Sequence, residues 1–454
     1  MAKETEIKLR VSPDSLATLR AHPLLAERCA GQWQTRELLN RYYDTADFAL
    51  ANSQVALRIR RDGEQIIQTL KSKGASVAGL SERNEWDWYL KSNRLVLGHL
   101  DDSCWPERLR ELDKKQLKAV FSTDFKRQFV ELRWLREGVD TVVEVALDQG
   151  LVIAGERQED ICEMELELRE GDCAALLELA VELAADVPLM PCDISKAERG
   201  YRLFDANSYS VAAESAQLTA EMPLDDAFTA IAWQLLGNSQ RLAEQYRFNG
   251  HWKLLEQWLQ QLLSLRALLG SLGQAAPRAS SSALRAQLDA LIEDWRESIL
   301  LGAEDQDARN AAPQQFSAEL EQTRWGLFSL QMALWLHSRQ WQQKRTPRGA
   351  RQGAAALQNW LLQFLKDEAQ ALQVPRYLRQ PEDLAEQAPR LERLLVWLHM
   401  ARQLTELVES DRLFGALRDL HAIALQPLSP ETLAARRDHL GFVLTLNAWK
   451  QLLR

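Results

Sequence analysis

The chain has 454 residues, which is long for a single domain and predicts two. Hydrophobic residues form 46% of it and charged residues 26%, a balance that allows buried cores beneath a charged surface. The formal net charge is −9, and the excess acid lies almost wholly before about residue 220. This charge argues against a general nucleic-acid binder, because duplex binding depends on Lys and Arg that neutralise phosphates.

The sequence pattern predicts neither export nor membrane insertion. The N-terminus begins with charged residues and lacks the apolar segment of a signal peptide. No stretch approaches the roughly 18–20 apolar residues that cross a bilayer. The five cysteines are scattered without a CxxC pair, so neither a zinc site nor a disulfide framework is indicated. We expect a cytoplasmic protein without membrane or nucleic-acid partners.

The first 200 residues repeatedly show the period-2 alternation of β-strands. Turn dipeptides such as Asp62-Gly63 and Glu137-Gly138 separate these runs, as in antiparallel barrels and sandwiches. Ser12-Pro13-Asp14 predicts the start of a helix that runs to about Glu27, and a second helix is expected over about 173–185. The alternating runs are Thr5–Val11, Val55–Arg61, Gln65–Lys73, Glu82–Leu90, Lys126–Leu135, Thr141–Leu147 and Ile161–Arg169.

The second half of the chain has a helical pattern. After a stretch rich in small and polar residues, apolar residues recur at three- and four-residue spacing, which predicts about eight helices in an all-α bundle. The expected domains are therefore residues 1–205, a linker at 206–224 and the helical region 225–454. Helix breaks are expected near Pro277, Pro313, Pro347, Pro375, Pro427 and Pro430.

The strands of the first half each place charge on one face and hydrophobes on the other. Glu4, Glu6 and Lys8 share one face of the first strand, an arrangement that alone is equally typical of a solvated strand face. The same alternation recurs on further strands, and both acid and base occupy the charged faces. These faces carry Arg58, Arg60, Lys71, Arg83, Glu85, Asp87, Glu144, Asp148, Glu163, Glu165 and Glu167.

Two architectures fit this alternation. In an open sandwich the charged faces would simply meet water, whereas in a closed barrel they would line a wet tunnel beneath outer helices. The mixture of acid and base favours the tunnel, because a polyanion accompanied by divalent metal ions would satisfy both sets. Arginines would grip phosphate oxygens, and clustered carboxylates would hold Mg²⁺ or Mn²⁺.

Short motifs follow one another in order across residues 1–205. They are Glu4-Thr5-Glu6-Ile7-Lys8, Tyr42-Tyr43-Asp44-Thr45, Leu57-Arg58-Ile59-Arg60, Thr69-Leu70-Lys71, Arg83 with Glu85, Phe121-Ser122-Thr123-Asp124-Phe125 before Arg127, Ala146-Leu147-Asp148-Gln149-Gly150, Glu163-Met164-Glu165-Leu166-Glu167-Leu168 and Ser195-Lys196-Ala197. Their order and spacing resemble the CYTH domain, also called the triphosphate tunnel metalloenzyme fold. The resemblance is closest to bacterial inorganic triphosphatases that join a CYTH domain to a C-terminal CHAD domain. It implies an α+β domain, a closed antiparallel eight-stranded β tunnel with flanking helices, followed by an all-helical domain.

The resemblance also implies residue roles and a reaction, the hydrolysis of tripolyphosphate to pyrophosphate and phosphate. Mg²⁺ or Mn²⁺, as two ions, is expected on Glu4, Glu6, Asp148, Glu165 and Glu167, and Glu163 has the same parity as the last two. Glu85, Asp148 and Lys196 are the expected catalytic groups. The expected triphosphate-binding residues are Lys8, Arg58, Arg60, Lys71, Arg83, Arg127 and Lys196.

The helical half is similar to a CHAD domain, a family named for histidines on α-helices and thought to bind polyphosphate. His251-Trp252-Lys253 stands where that family has its histidine-led helix, but the expected Arg-rich run after it is replaced by residues such as Glu256 and Gln257. The half is therefore expected to be a degenerate CHAD domain with weak polyphosphate binding. Its other helix-associated histidines are His337, His399, His421 and His439.

Three functions stay open on the sequence alone, because function resides in a site rather than in a fold. The first is inorganic triphosphatase. The second is another reaction in the same tunnel, either an adenylate cyclase or the hydrolysis of thiamine or nucleoside triphosphates. The third is non-catalytic binding of polyphosphate through the helical half.

Overall fold

The computed structural model describes residues 2–77, 80–205 and 215–454, and it describes the side chains of all of these except 2–3, 73–77, 81–83 and 205. The chain divides into two compact units. The first contains Met1–Ala212, Ser239–Gln257 and Glu297–His337. The second contains Ala213–Asn238, Trp258–Arg296 and Ser338–Arg454. The expected linker at 206–224 falls partly outside the described residues, and the three-part division made from the sequence stays a prediction.

Within the described residues, nine strands form one antiparallel sheet. The seven alternating runs coincide with strands, except that Val11 follows the end of the first strand. The pattern missed the second strand, whose first four residues are all exposed. The sheet also contains a ninth strand that the sequence did not predict, the two residues Met190–Pro191, which pair with the end of the first strand. The strands are β1 Ala2–Arg10, β2 Gln34–Asp44, β3 Val55–Asp62, β4 Gln65–Val77, β5 Leu80–Leu90, β6 Lys118–Arg136, β7 Val139–Ala154, β8 Arg157–Glu170 and β9 Met190–Pro191.

The strand order is β5-β4-β3-β2-β6-β7-β8-β1-β9, and β1 also pairs with β5. Along β8, Glu6 of β1 lies opposite Glu167 and Lys8 lies opposite Glu165. Along β7, Glu144 also lies opposite Glu167. Since directly opposed residues point to the same face of a sheet, this register collects the charged faces of neighbouring strands into continuous rows.

Among the described residues up to 205, five α-helices accompany the sheet: α1 Pro13–Arg20, α2 Pro23–Arg28, α3 Ala49–Asn52, α4 Ala174–Ala184 and α5 Lys196–Arg202. The expected helix over 173–185 is confirmed as α4. The expected continuous helix to Glu27 was wrong, because it ends at Arg20 and Pro23 starts a new one. Proline lacks the N–H that continuation requires and is well suited to the first helical position.

The apolar strand faces are buried. One cluster packs Leu57 and Leu70 against Leu50 of α3 and against Trp105 and Leu109 from the segment between β5 and β6. Along β1, Ile7 and Leu9 are fully buried, and the leucines of α4 are buried as well. Burial of this apolar area fixes the strand register, since a slip by one residue would turn every charged side chain into the core.

Twelve α-helices lie within the described residues 215–454, more than the eight expected. Pro313, expected to break a helix, instead lies inside α9. The helices are α6 Leu224–Asn249, α7 Trp252–Ser271, α8 Ser282–Glu304, α9 Gln306–Leu320, α10 Thr323–His337, α11 Pro347–Gly353, α12 Leu357–Ala371, α13 Val374–Arg379, α14 Ala388–Ala401, α15 Ser410–Ala424, α16 Pro430–Thr445 and α17 Asn447–Leu452. Among the described residues, none of the helices combines the length and the apolar character that a bilayer-spanning segment requires.

Candidate functional site

The charged strand faces line a cavity of about 310 Å³. Every strand from β1 to β8 contributes at least one charged side chain, and the N-terminus of α5 contributes one more. Acid and base are balanced among the described residues of the lining. The acidic side chains are Glu4, Glu6, Asp62, Glu85, Asp87, Glu144, Glu165 and Glu167, and the basic ones are Lys8, Arg36, Arg58, Arg60, Lys71, Arg127, Arg169 and Lys196.

Most residues selected from the sequence meet in this cavity, and the exceptions are Arg83, Asp148 and Glu163, the last of which contacts Lys196 without lining the cavity. The side chain of Arg83 lies outside the described part of the structure. Asp148 lies behind the cavity wall and is fully buried. The structure brings together Glu4, Glu6, Lys8, Arg58, Arg60, Lys71, Glu85, Arg127, Glu165, Glu167 and Lys196.

Asp148 holds two cationic side chains of the lining. Its carboxylate accepts two hydrogen bonds from the guanidinium of Arg127, at 2.8 Å from Nε and 2.7 Å from Nη2. The Nζ atom of Lys196 donates to the same carboxylate at 2.8 Å. A bidentate pair of this kind fixes the plane and direction of the arginine fork. Asp148 therefore orients Arg127 and Lys196 without lining the cavity itself.

Lys196 lies at the centre of a buried carboxylate cluster. It is the first residue of α5, whose N-cap Ser195 forms a capping box with Glu198. Its Nζ donates to Glu165 at 3.0 Å and also to Asp148 and Glu163. Burial by itself would lower the pKa of Lys196, but the three carboxylates outweigh burial and raise the pKa above its ordinary value. The ammonium group therefore stays protonated.

One part of the lining has an excess of negative charge. Glu6, Glu167 and Glu144 lie side by side across β1, β8 and β7. Burial raises the pKa of Glu167 to about 7, and the nearby carboxylates of Glu4, Glu144 and Glu6 contribute to this rise against the opposing effect of Arg169. Carboxylates placed this close to one another favour an additional cation.

Lysines neutralise part of this negative region. The Nζ atom of Lys71 lies 2.6 Å from Glu4 and 3.0 Å from Glu85. Lys8 donates to Glu6, and its Nζ lies 3.7 Å from Glu165. Because a lysine ammonium group is carried on a flexible four-carbon stem, Lys8 and Lys71 are able to turn from these carboxylates toward an anionic ligand.

Another part of the lining has an excess of positive charge. Burial lowers the pKa of Arg60 to about 10, and the cationic neighbours Arg58 and Arg127 lower it further against smaller opposing effects. The Nε atom of Arg60 donates to the side-chain oxygen of the buried Asn40 at 2.8 Å. This contact is neutral and adds no negative charge beside the guanidinium. Clustered guanidinium groups of this kind favour a multiply charged anion.

Sequence reasoning missed several lining residues. Arg36 lies on β2, where the outer half of the strand gives no alternation signal, and its Nη1 lies 3.2 Å from Asp62. Tyr42 belongs to a quoted motif but received no role, although it lines the cavity and stacks on Phe121. Arg169 ends the last alternating run and donates to Glu144 at 3.0 Å. Only strand pairing reveals that these residues share one face.

A buried network of ion pairs lies behind the cavity, within the first compact unit. Arg199 of α5 donates to Glu163 at 2.9 Å and to Glu159 at 2.8 Å. Glu159 also accepts from Arg10 at 3.2 Å, and Arg10 donates to Glu244 of α6. Because Glu163 contacts Lys196, these pairs connect α6 to the cavity lining without a break.

Comparison with known proteins finds similarity in the first part of the chain. Residues 2–201 match the sequence model of the CYTH domain. Over 203 residues the chain is 35% identical to the inorganic triphosphatase of Haemophilus influenzae, a match that covers 45% of this chain and 55% of that protein. The chain therefore spans about half the length of this curated relative.

Two solved structures also match part of the chain. A candidate adenylyl cyclase from Hippeastrum, described as having a dominant triphosphatase activity, is 22% identical with a TM-score of 0.32 and covers 44% of this chain and 95% of that chain. A candidate adenylate cyclase from Bacillus halodurans is 23% identical with a TM-score of 0.27 and covers 41% and 90%, respectively. These TM-scores are too low to support an inference. In sequence, residues 2–201 are therefore similar to the CYTH domain.

Proposed function

We propose that the cavity lined by β1–β8 hydrolyses inorganic tripolyphosphate to pyrophosphate and phosphate in a metal-dependent reaction. The observation that carries the proposal is that one cavity lining contains both a group of arginines, Arg58, Arg60 and Arg127, and a row of carboxylates around Glu167. A triphosphate would satisfy the first region, and a divalent cation would satisfy the second. The identity of 35% to the Haemophilus influenzae inorganic triphosphatase supports the same reaction.

The strand pairing supports a tunnel around this cavity. The pairing of β1 with β5 brings one end of the strand order beside a strand near the other end. We propose that β1–β8 thereby close into the eight-stranded tunnel expected from the sequence. In a closed arrangement, inward-facing side chains surround a substrate and replace its water shell with fixed charges.

The carboxylates suit a hard divalent cation. Glu4, Glu6, Glu144, Glu165 and Glu167 offer oxygen atoms, the donors that Mg²⁺ and Mn²⁺ prefer. A divalent cation bound there would neutralise phosphate oxygens and lower the pKa of a bound water. The binding of Mg²⁺ or Mn²⁺ in particular, and the presence of two ions, stay predictions.

The basic side chains would bind the substrate and stabilise its leaving group. During hydrolysis the oxygen of a water forms a bond to the terminal phosphorus, while the bond from that phosphorus to the bridging oxygen breaks. The bridging oxygen leaves as part of pyrophosphate, so negative charge grows there. Arg58, Arg127 and Lys196 reach into the cavity as positively charged donors and would stabilise this charge.

Glu85 is the proposed water-orienting group. Although burial raises the pKa of Glu85, Lys71 and Arg58 outweigh burial and lower the pKa below its ordinary value. The carboxylate therefore stays ionised and can accept a hydrogen bond from the attacking water. Asp148 would act as a positioning residue, because its contacts are to Arg127 and Lys196 and it does not line the cavity. This role replaces direct metal binding by Asp148 in our proposal.

The character of the lining favours inorganic triphosphate over nucleotides. Tyr42 and Phe129 are the aromatic residues among the described part of the lining. Tyr42 already stacks on Phe121, with 4.6 Å between ring centroids, and the guanidinium of Arg36 covers Phe129 at 4.6 Å. One face of each ring is therefore already occupied, which reduces the surface on which an adenine or a thiamine ring could stack.

A phosphate-release assay on the full-length chain tests the proposed function. Tripolyphosphate, ATP and thiamine triphosphate are compared at equal concentration with Mg²⁺, with Mn²⁺ and with a chelator. We expect turnover of tripolyphosphate that exceeds the other two substrates and disappears with the chelator. Preferential turnover of ATP, or formation of cyclic AMP, would assign a different reaction to the cavity.

The remaining expectations concern the helical region. The assignment of residues 225–454 to a degenerate CHAD domain stays a proposal, as do its weak affinity for polyphosphate and the cytoplasmic location of the protein. Binding of long-chain polyphosphate to the full-length chain can be measured by calorimetry with and without saturating tripolyphosphate. Tight binding that survives saturation of the cavity would point to a second phosphate site.

A further inference from the structure

A second group of metal-binding side chains lies outside the cavity. Asp172 and Cys173 immediately precede α4, and His337 is the last residue of α10. The Sγ atom of Cys173 lies 3.2 Å from Nε2 of His337. One carboxylate oxygen of Asp172, the sulfur and a histidine nitrogen all lie within 4.8 Å of one another. All three residues belong to the first compact unit.

These spacings suit one small cation. In a tetrahedral zinc site the bonds are about 2.3 Å to sulfur and about 2.0–2.2 Å to nitrogen and oxygen, so neighbouring ligand atoms are held roughly 3–4 Å apart. The observed group needs only small side-chain adjustments to reach that arrangement. Cys173 is half-buried, while Asp172 and His337 are exposed, so an ion would have direct access from solvent.

The fold holds the two contributing segments in place. The helices α4 and α10 pack against each other. Gly326 of α10 lies so close to the carbonyl of Leu189 that an added Cβ would overlap it. On the other side, the backbone N–H of Ala174 donates to Asp172 at 2.8 Å and fixes its carboxylate at the start of α4. The geometry of the three ligands therefore rests on packed elements rather than on a free loop.

We propose that Asp172, Cys173 and His337 form a site for Zn²⁺ or a similar borderline-soft cation, with water as the fourth ligand. A sulfur and an imidazole nitrogen distinguish this site from the oxygen-only cavity, which suits Mg²⁺ and Mn²⁺. The ion would join α4 to α10, two segments 164 residues apart at the Cys–His contact. Sequence spacing gave no sign of such a site, because zinc motifs are recognised by ligands that are close in the chain.

Nearby charges modulate the site without blocking it. Nη1 of Arg136 lies 3.7 Å from the carboxylate of Asp172, but the same guanidinium makes shorter contacts, 2.7 Å and 2.8 Å, to Glu178. Arg136 is therefore engaged mainly by Glu178. A divalent ion at the site would replace its weaker contact with Asp172.

Cobalt spectroscopy of the full-length chain tests the proposal. Co²⁺ bound to a thiolate produces a charge-transfer band in the near ultraviolet, whereas Co²⁺ bound only to oxygen donors in the cavity does not. We expect the band to saturate at one Co²⁺ per chain and to be lost when Zn²⁺ is added. It should be absent in Cys173→Ser and in His337→Ala, and it should persist in the control Cys29→Ser. Absence of the band in the unaltered protein, or its persistence in Cys173→Ser, would overturn the proposal.

Alkylation of the unaltered protein provides a test that does not depend on folding of the variants. Iodoacetamide labelling is followed at each cysteine by peptide mass spectrometry, with and without Zn²⁺. We expect Zn²⁺ to slow labelling of Cys173 and to leave labelling of Cys29, which is also half-buried, unchanged. Equal labelling of Cys173 in both conditions would contradict the proposed site.

Discussion

Arg10, the last residue of β1, forms a buried ion pair with Glu244 of α6. Its Nε and Nη2 atoms lie 2.5 Å and 2.9 Å from the two carboxylate oxygens, across 234 positions in the sequence. The side chain of Glu244 is fully buried. The strand that carries Glu4, Glu6 and Lys8 is thereby fastened to a helix from the second half of the chain. The helical segment 239–257 is thus part of the support for the candidate site rather than an independent attachment.

Removing one partner of this pair should destabilise the first compact unit. Glu244→Gln leaves the Arg10 guanidinium buried without its anion, which costs about 3–5 kcal/mol when a buried pair is broken. We expect a clear drop in the thermal unfolding midpoint, measured by circular dichroism. The control Glu182→Gln disrupts the exposed pair with Arg28, where a loss of only about 0–1 kcal/mol is expected. Equal midpoints for Glu244→Gln and the control would show that the buried pair contributes little.

The same pair should make stability depend on acid pH. Although burial raises the pKa of Glu244, Arg10 outweighs burial and holds the pKa well below its ordinary value. Since the folded pKa lies below the unfolded value of about 4.3, the stabilisation is complete above that pH and is lost as pH falls toward the folded pKa. The gap in unfolding midpoint between the unaltered protein and Glu244→Gln should therefore narrow as pH falls from about 7 to about 3. A difference in unfolding midpoint that stays constant over this pH range would contradict a lowered pKa of Glu244.

The sequence predicts which residues share a face of one strand, but not which charged residues line up across neighbouring strands. Alternation places Glu4, Glu6 and Lys8 on one face because that property belongs to a single strand. The row that joins Glu6, Glu167 and Glu144 depends on the register of three strands, and no local pattern contains that register. Motif resemblance supplied the missing information for the cavity. It supplied none for the Arg10–Glu244 pair, whose partners lie 234 positions apart.

Sequence reasoning selected residue types for the site but did not predict how deeply each side chain is buried. Asp148 has the right parity for the charged face and was assigned to the metal site. Asp148 is fully buried and contacts Arg127 and Lys196, which line the cavity while Asp148 does not. The number of helices in the second half was underestimated because short helices such as α13 and α17 carry too few turns for a periodic signal.

Arg60 should contribute to binding of the triphosphate. Replacing it with Gln removes one charge-assisted donor, worth about 1.5–3 kcal/mol, so kcat/KM for tripolyphosphate should fall by roughly 10- to 100-fold. We expect most of the loss in KM, because the excess positive charge is present before the reaction begins. Arg61→Gln is the matched control, since Arg61 is the next residue on the same strand and does not line the cavity. Similar kinetics for the two variants would remove Arg60 from the binding site.

Glu167 should contribute to metal affinity. Glu167→Gln removes a carboxylate from the negative region. Since loss of even an outer-shell partner weakens metal binding by about 10- to 100-fold, the Mg²⁺ or Mn²⁺ concentration for half-maximal activity should rise by at least about tenfold. Binding of Mn²⁺ to the metal-free protein, followed by electron paramagnetic resonance, should weaken in parallel. Glu170→Gln serves as the control because Glu170 lies on the same strand, is exposed and does not line the cavity. Unchanged Mn²⁺ affinity in Glu167→Gln would exclude the carboxylate as a ligand.

Substitution of Asp148 distinguishes a positioning role for this residue from direct metal binding. In Asp148→Asn the carboxylate that holds Arg127 and Lys196 becomes a neutral amide of the same shape, so the two cations lose their fixed orientation. If Asp148 acts through these side chains, kcat/KM for tripolyphosphate should fall by at least about tenfold, the effect of losing one charge-assisted contact of at least about 1.4 kcal/mol. The affinity for Mn²⁺ should stay close to that of the unaltered protein, because the cavity carboxylates are retained. A loss of Mn²⁺ affinity equal to that of Glu167→Gln would instead make Asp148 a metal ligand, as the sequence resemblance implies.

Arg127→Lys provides the complementary measurement: it keeps the charge but not the bidentate fork, so it should reproduce the kinetic loss while leaving Mn²⁺ binding intact.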